Sequence, residues 1–444
     1  MGRELLAIVR IGGPLAAAYL AEIVMGIMDM LFVGRLGSVQ LAGVGLASSV
    51  MFEILIVAVG VVSIVAVLAA EARGAGDSEG LCHAVRQGFL VALVLGIPAT
   101  IIGMNLAGVL AMTGQDPRVI VFADRYLHAA AWFIIPYLLF VVLRSFVAVL
   151  SRASSVMVVT VMAIGVKAVF TYGLVFGGFG LPALGVAGAG WATTITVWLM
   201  LAAMVVHTAG SRYFRNFQLY SAGLRMDASV IREIFRLGVP AGGIALLESG
   251  MFVAVSIFMG VLGAGWLAAN QIMFNVLAVG FVIALSLGEA CSVRVAQAAG
   301  AGSAGGIRVA ALSGIGLGML VMLMSASMLW LFPREIVSLF LDMGDAGSAV
   351  VVANAVVLAG IAAVFQVFDG LQAVASRALR GVKDTLVPMW IASLGYWLFG
   401  VAGGWALAFE FGFGARGLWW GLALGLMVTS LALVWRLAAR TRLV

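Results

Sequence analysis

Apolar residues run almost unbroken along this chain, in stretches of about twenty or more divided by short polar breaks. Each stretch is long enough to cross a ~30 Å hydrocarbon core as an α-helix. Twelve spans are predicted, near 9–33, 42–69, 86–111, 120–143, 156–176, 186–208, 235–260, 266–292, 308–331, 348–376, 387–409 and 416–437. Ten-residue segments of alternating polarity, the mark of a membrane barrel, do not occur in the sequence. The pattern predicts an all-α integral membrane protein. Its opening, MGRELLAIVRIGGP, leads straight into the first span and reads as mature sequence, not a cleaved signal peptide.

The same pattern occurs twice. Sliding the chain by 226 positions lays Ile8, Arg10, Gly12 and Pro14 on Ile234, Arg236, Gly238 and Pro240. Leu20, Glu22 and Met25 then meet Leu246, Glu248 and Met251, and FVGRLGSVQLA (32–42) meets FMGVLGAGWLA (258–268). The later part of the repeat is fainter. Gly114 pairs with Gly344 at an offset of 230, which sets Asp369 against Leu139, and FGLPALG (179–185) pairs with FGFGARG (411–417) at 232. Six spans per repeat is an even number, so both halves insert the same way up. The prediction is two six-helix lobes related by a pseudo-two-fold axis along the membrane normal, with a binding cleft between them. The division read from the sequence is an N-terminal lobe over 1–208, a cytoplasmic linker over 209–232 and a C-terminal lobe over 233–444. The linker holds the longest polar stretch in the chain.

Composition adds the solvent. Of 444 residues 64% are hydrophobic and 10% charged, with a mean hydropathy of +1.18, where a soluble domain carries roughly 25% charged residues. Arg and Lys give direction. Nineteen lie at the termini and the connections on their side, against five on the other: Arg35, Arg118, Arg125, Arg334 and Arg416. That asymmetry predicts cytoplasmic termini in a multi-pass membrane protein. The formal charge of +6 is then a topology signal, which leaves no case for nucleic acid as a partner. Cys82 and Cys291 both fall toward the cytoplasmic side, where a structural disulfide is not expected.

Enzyme and ATPase readings find no footing. Lys167 and Lys383 are the only lysines, each preceded by valine, so no Gly-Lys-Ser/Thr phosphate loop exists. His83, His128 and His207 are scattered, without metal-ligand spacing. No cofactor is expected, and transport would draw on an ion gradient.

Charge inside the spans carries the candidate chemistry. Glu22, Asp29, Glu53, Glu248, Glu289 and Asp369 fall within them, and a central charge in lipid costs roughly 2.5–3.5 kcal/mol. Each acid must be paired, protonated or cation-bound. Glu289, near the cytoplasmic end and five positions before Arg294, reads as structural. Glu22 and Asp29 are seven apart on one helix face. Asp369 lies in FQVFDGLQ between Gln366 and Gln372. A carboxylate that exchanges proton for cation is the group an antiporter needs. Lys167 is the one base deep in a span and needs an anionic partner, for which Asp29 is the candidate. That pair is open between a structural role and a share in the coupling. Phe252, Phe258, Phe365 and Phe368 lie near the acids and are candidates to stack an organic cation, although most membrane aromatics serve packing. Gly314–Gly318 and Gly421–Gly425 read as close helix contacts.

At these residues the chain resembles the multidrug and toxic compound extrusion (MATE) family, in its NorM-like branch. The stretches that carry the resemblance are GGPLAAAYLAEIVMGIMDMLFVGRLGSVQLAGVGLASS, VPAGGIALLESGMFVAVSIFMGVLGAGWLAANQI and FQVFDGLQAVASRALRGVKDTLVPM. The resemblance implies a twelve-helix, cation-coupled exporter of bulky, often cationic drugs. It implies cation coupling at Glu248, Asp369 and Asp29, the first two holding sodium if sodium is the ion. Glu22, Lys167, Gln271, Asn275 and Gln366 are auxiliary candidates. The family's fifth span usually shows paired asparagines, where this chain has Lys167 and Thr171, and Glu22, Glu53 and Glu289 look like additions. The leading expectation is a monomeric efflux antiporter that exchanges small amphipathic, often cationic compounds for Na⁺ or H⁺ by alternating access. The alternatives are a flippase of the same superfamily moving a lipid-linked saccharide, and a channel.

Overall fold

The computed structural model describes residues 1–112, 114–220, 223, 225–340 and 348–443. Gly344 and positions 221, 222 and 224 of the linker lie outside those residues. Twelve helices long and apolar enough to span a membrane follow one another among the described residues. They are α1 (Gly2–Gly34), α2 (Ser38–Gly74), α3 (Ser78–Ala111), α4 (Pro117–Val149), α5 (Ser154–Phe176) and α6 (Val186–Gly210), then α7 (Ala228–Leu262), α8 (Ala264–Gly300), α9 (Ala304–Leu331), α10 (Ala349–Gly381), α11 (Leu386–Glu410) and α12 (Gly414–Thr441). An all-helical chain is what the bilayer requires, because each backbone N–H and C=O must be satisfied within its own segment.

Packing divides these helices into two compact units, 17–242 and 1–16 with 243–444. The boundaries differ from the lobes drawn on the sequence, 1–208 and 233–444, because contact and chain order part company at α1 and α7. The opening of α1 packs with the C-terminal unit, where Gly12 lies against Leu287 and Glu4 pairs with Arg294 at 2.6 Å. The opening of α7 packs with the N-terminal unit, where Gly238 meets the Val61 backbone and Gly242 meets Val57. The linker also joins this unit. Cys82 Sγ donates to the Phe217 carbonyl at 3.0 Å, Gln87 Nε2 to the Arg225 carbonyl at 2.7 Å, and Phe146 packs on Phe214 and Phe217. Both cysteines are buried free thiols.

Backbone landmarks fix the register of the repeat more firmly than side chains do. At 226, Gly37 and Gly263 share an unusual backbone (φ 139° and 125°), in the region that only glycine adopts freely. The caps that follow also match: Asp77 accepts from Gly80 N, and Ser303 accepts from Gly306 N. At 232, the starts of α5 and α11 coincide (386 − 154). Ser151 and Lys383 (φ 57° and 59°; 383 − 151 = 232) end their helices alike, with N–H groups donating to Ala148 and Arg380 carbonyls at 2.9 Å in both. The offset for the fourth helices is therefore 232. Asp369 stands opposite Tyr137 and not opposite Leu139, a correction of two residues, more than half a helical turn.

Glycines set the closest contacts of the C-terminal unit. Gly421 and Gly425 on α12 press on the backbone of Gly404 and Gly400 on α11, which runs in wide π-type turns over 394–402 and 406–410. Gly314 and Gly318 on α9 receive Cys291 and Val374. Small residues let these backbones approach in a solvent with no hydrophobic drive of its own.

Candidate functional site

The C-terminal acids lie on α7 and α10, which meet through Phe252 and Phe365 (ring centroids 6.0 Å apart). Glu248 is four residues before Phe252, and Asp369 four after Phe365. Consecutive spans alternate direction, so on these antiparallel helices both acids lie one turn from the ring contact, on the same side of it. They are close enough to act on each other electrostatically. Neither carboxylate has a hydrogen bond or ion pair to a base among the described residues. Asp369 is 4% exposed, and its Oδ1 has no hydrogen-bond partner. Gln366 Oε1 and Gln372 Oε1, both buried, lack one too, and the buried Tyr396 hydroxyl stands against Gln372. A buried acceptor without a donor is costly, and several gathered around two carboxylates ask for a proton or a small cation.

A third acid of this unit is settled differently. Glu289 on α8 accepts from Arg377 Nε at 3.2 Å and from Arg380 Nη2 at 2.7 Å, both on α10. Its structural role stands without Arg294, which serves Glu4 and Gln297 instead. The sequence analysis places Lys167 as the one base deep in a span, and Arg377 adds a second base, within reach of the C-terminal acids. Arg377 lies eight residues along α10 from Asp369, within electrostatic range of both acids. Its hydrogen bonds nevertheless go to Glu289 and the Ala373 carbonyl.

In the N-terminal unit both candidate acids are closed by bases. Lys167 Nζ lies 2.7 Å from Asp29 Oδ2 and 2.5 Å from Thr193 Oγ1, and Thr193 also donates to Asp29 at 3.1 Å. Both charged side chains are over 90% buried (4% and 7% exposed). Glu22 accepts from the Tyr137 hydroxyl at 2.9 Å and lies 3.5 Å from Arg144 Nη1, whose guanidinium sits over the Tyr19 ring. Arg144 is 6% exposed. Nothing in its surroundings on the sequence marks it, because it follows an unbroken apolar run on α4. Glu53 is half-buried on α2, away from these pairs in the chain.

The auxiliary candidates separate. Gln271 and Asn275 are exposed, and Asn275 Nδ2 donates to the Gln271 carbonyl on its own helix. Gln366 is buried, with Nε2 donating to Ser325 Oγ at 2.8 Å. Asn270, absent from the sequence candidates, is fully buried and accepts from Trp419 Nε1 at 3.1 Å. No group of three or more His, Cys, Asp or Glu side chains gathers among the described residues.

A single family model, MatE, matches residues 14–173 and matches again over 240–406. The chain belongs to the MatE family. The two matches begin 226 apart, at Pro14 and Pro240, the offset of the internal repeat. Among relatives, the multidrug resistance protein NorM of Burkholderia vietnamiensis is 38% identical, covering 99% of this chain and 95% of its own. A probable multidrug resistance protein NorM of Rhizobium meliloti is 37% identical over 96% and 91%. Solved structures of similar fold include the eukaryotic MATE transporter AtDTX14, with a TM-score of 0.86, 23% identity and 99% and 98% coverage. A MOP superfamily transporter from Pyrococcus furiosus gives a TM-score of 0.88 at 19% identity, with 99% and 96% coverage.

In this MatE protein the aromatic candidates do not form one surface. Phe365 is 1% exposed and packs against Trp419 and Phe252, so it belongs to the core and is withdrawn from the cleft-lining set. Phe252 and Phe368 are partly buried against the same core, and Phe258 meets Phe409.

Proposed function

We propose that this MatE protein is a multidrug exporter that moves small, amphipathic, often cationic compounds across the bacterial inner membrane in exchange for H⁺ or Na⁺. The observation that carries this reading is the Glu248–Asp369 pair, two acids with no bonded base amid several orphaned acceptors. The names of its NorM relatives, multidrug resistance proteins, support drugs as the substrates, and the two acids support a cationic character among them. Glu248 and Asp369 hold the driving ion, with Gln366, Gln372 and Tyr396 offering oxygens around it. When they are ionised, the pair attracts a cationic compound. When the ion binds, one charge is neutralised and that attraction falls by about 1–4 kcal/mol for groups ~4 Å apart, roughly a five- to thousand-fold loss of affinity. Such a differential is what alternating access needs in order to load on one side and release on the other. In this reading the chain works as a monomer, and the Arg asymmetry supports placing both termini in the cytoplasm.

Proteoliposomes loaded with ethidium test the reading. A sodium gradient and a pH gradient are imposed separately, and one of them accelerates dye movement against its own gradient. Ohmic currents with no uphill dye movement under either gradient would replace the exporter with a channel.

A further inference from the structure

Both repeats place a glutamate at the same position of their first helix, Glu22 and Glu248, and both turn the same position of their fourth helix toward it, Tyr137 and Asp369. In the N-terminal unit the hydrogen bond is made: Tyr137 donates to Glu22 at 2.9 Å. A phenol keeps its proton at physiological pH, so this donor is always present, whereas Asp369 offers a hydrogen to Glu248 only after taking one up. Arg144 then adds a charge that cannot be removed. Its counterpart at 232 is Ser376, so the C-terminal unit has no equivalent. The base which that unit does add, Arg377, comes with its own acid, Glu289. Their counterparts are the neutral Ser145 and Ser63.

The second N-terminal acid repeats the arrangement. Asp29 corresponds to Val255 and Lys167 to Phe399, and the two are joined at 2.7 Å. Glu22 and Asp29 thus each hold a base of their own, and Glu289 holds two. Glu248 and Asp369 hold none among the described residues.

We propose that the N-terminal unit carries the same cation site in a permanently filled form, with the Tyr137 hydroxyl and the Arg144 guanidinium standing where the C-terminal unit takes up its ion. These two residues confine ion uptake to one unit of a duplicated protein. The proposal rests on the reading of Glu248 and Asp369 as the coupling acids. The titratable groups facing Glu22 are Arg144 and Tyr137, with Tyr19 beside those two; those around Glu248 and Asp369 are Arg377 and Tyr396.

The test grafts one site onto the other. Tyr137→Asp with Arg144→Ser gives the N-terminal unit the residues of the C-terminal one, and Arg144→Gln alone removes only the fixed charge. Purified chains in nanodiscs are stepped from about pH 8.5 to about pH 5.5, a range in which an ordinary carboxylate binds almost no proton. Proton uptake and ²²Na⁺ binding are both counted. The grafted chain takes up one cation more than the wild type, as H⁺ or Na⁺, and Arg144→Gln takes up one further H⁺. Should either variant fail to stay monodisperse on gel filtration, the other carries the test. If a folded variant gains no cation, Tyr137 and Arg144 are packing residues and the proposal falls. The coupling reading fails separately, when the wild type and Asp369→Asn bind the same number of cations.

Discussion

Tyr137 donates its hydroxyl to Glu22 at 2.9 Å from the helix position that Asp369 holds in the second repeat. One duplicated scaffold therefore presents a glutamate to a phenol in one unit and to a second acid in the other. The phenol fixes a charge state, and the acid leaves it open to ions. Gene duplication supplies two equivalent positions, and a few substitutions at them make the units chemically unequal.

Lys167 and Asp29 form a buried pair whose members depend on each other. Removing one partner leaves an uncompensated buried charge, which costs about 3–5 kcal/mol, while removing both is often neutral. Lys167→Met is expected to lower the melting temperature in detergent markedly, and adding Asp29→Leu to restore most of it. Additive losses in that double-mutant cycle would show that the pair contributes no coupling energy.

Asp227 anchors the linker ahead of α7. It accepts from Ser229 N at 2.9 Å and Ser229 Oγ at 2.7 Å, and faces the His83 ring at 3.0 Å. These hydrogen bonds hold its carboxyl down at about 2, the largest share coming from Ser229. A carboxylate depressed below its ordinary value of about 3.9 contributes stability above that value and loses it as pH falls through the folded one. The tether is therefore complete at neutral pH and released between about pH 4 and about pH 2. Hydrogen exchange at the amides of 228–231 should be protected in the wild type at neutral pH and faster in Asp227→Ala. Equal exchange in both would remove the anchoring role.

Gly288 gives Arg377 its path. A Cβ there would stand 2.7 Å from Arg377 Cδ and 3.2 Å from the Ala373 carbonyl. Gly288→Ala must push the guanidinium off Glu289 or move α8 from α10, and overpacking of this kind costs about 1–3 kcal/mol. The expected result is a lower melting temperature, partly recovered by Arg377→Ala. No recovery would mean that the backbone contact, and not the arginine, makes the strain.

The fold was legible because the bilayer enforces it: twelve apolar runs could become little else, and the duplication shows in the sequence as plain identity. Lys167 and Asp29 were legible for the same reason, since a lone deep base requires an acid. Arg377 and Arg380 were not, because the positions read as the cytoplasmic end of a span and their partner Glu289 comes from another helix. The register of α10 was missed by two residues because it was drawn from Gly114 and Gly344, and the stretch of chain before α10 is longer in the second repeat than a single offset allows. Backbone conformation at Ser151 and Lys383 set it right, and no property of their side chains announces that equivalence. Phe365 was taken for a cleft residue because it is aromatic and near an acid, yet periodicity alone cannot say which side of a membrane helix faces the core.

The claim that Glu248 and Asp369 couple transport to an ion is tested most directly by comparing uphill with downhill movement in one variant. In proteoliposomes, Asp369→Asn is expected to let ethidium run down its own gradient while losing accumulation against it under an imposed ion gradient. Uphill accumulation by Asp369→Asn at the wild-type rate would contradict the account.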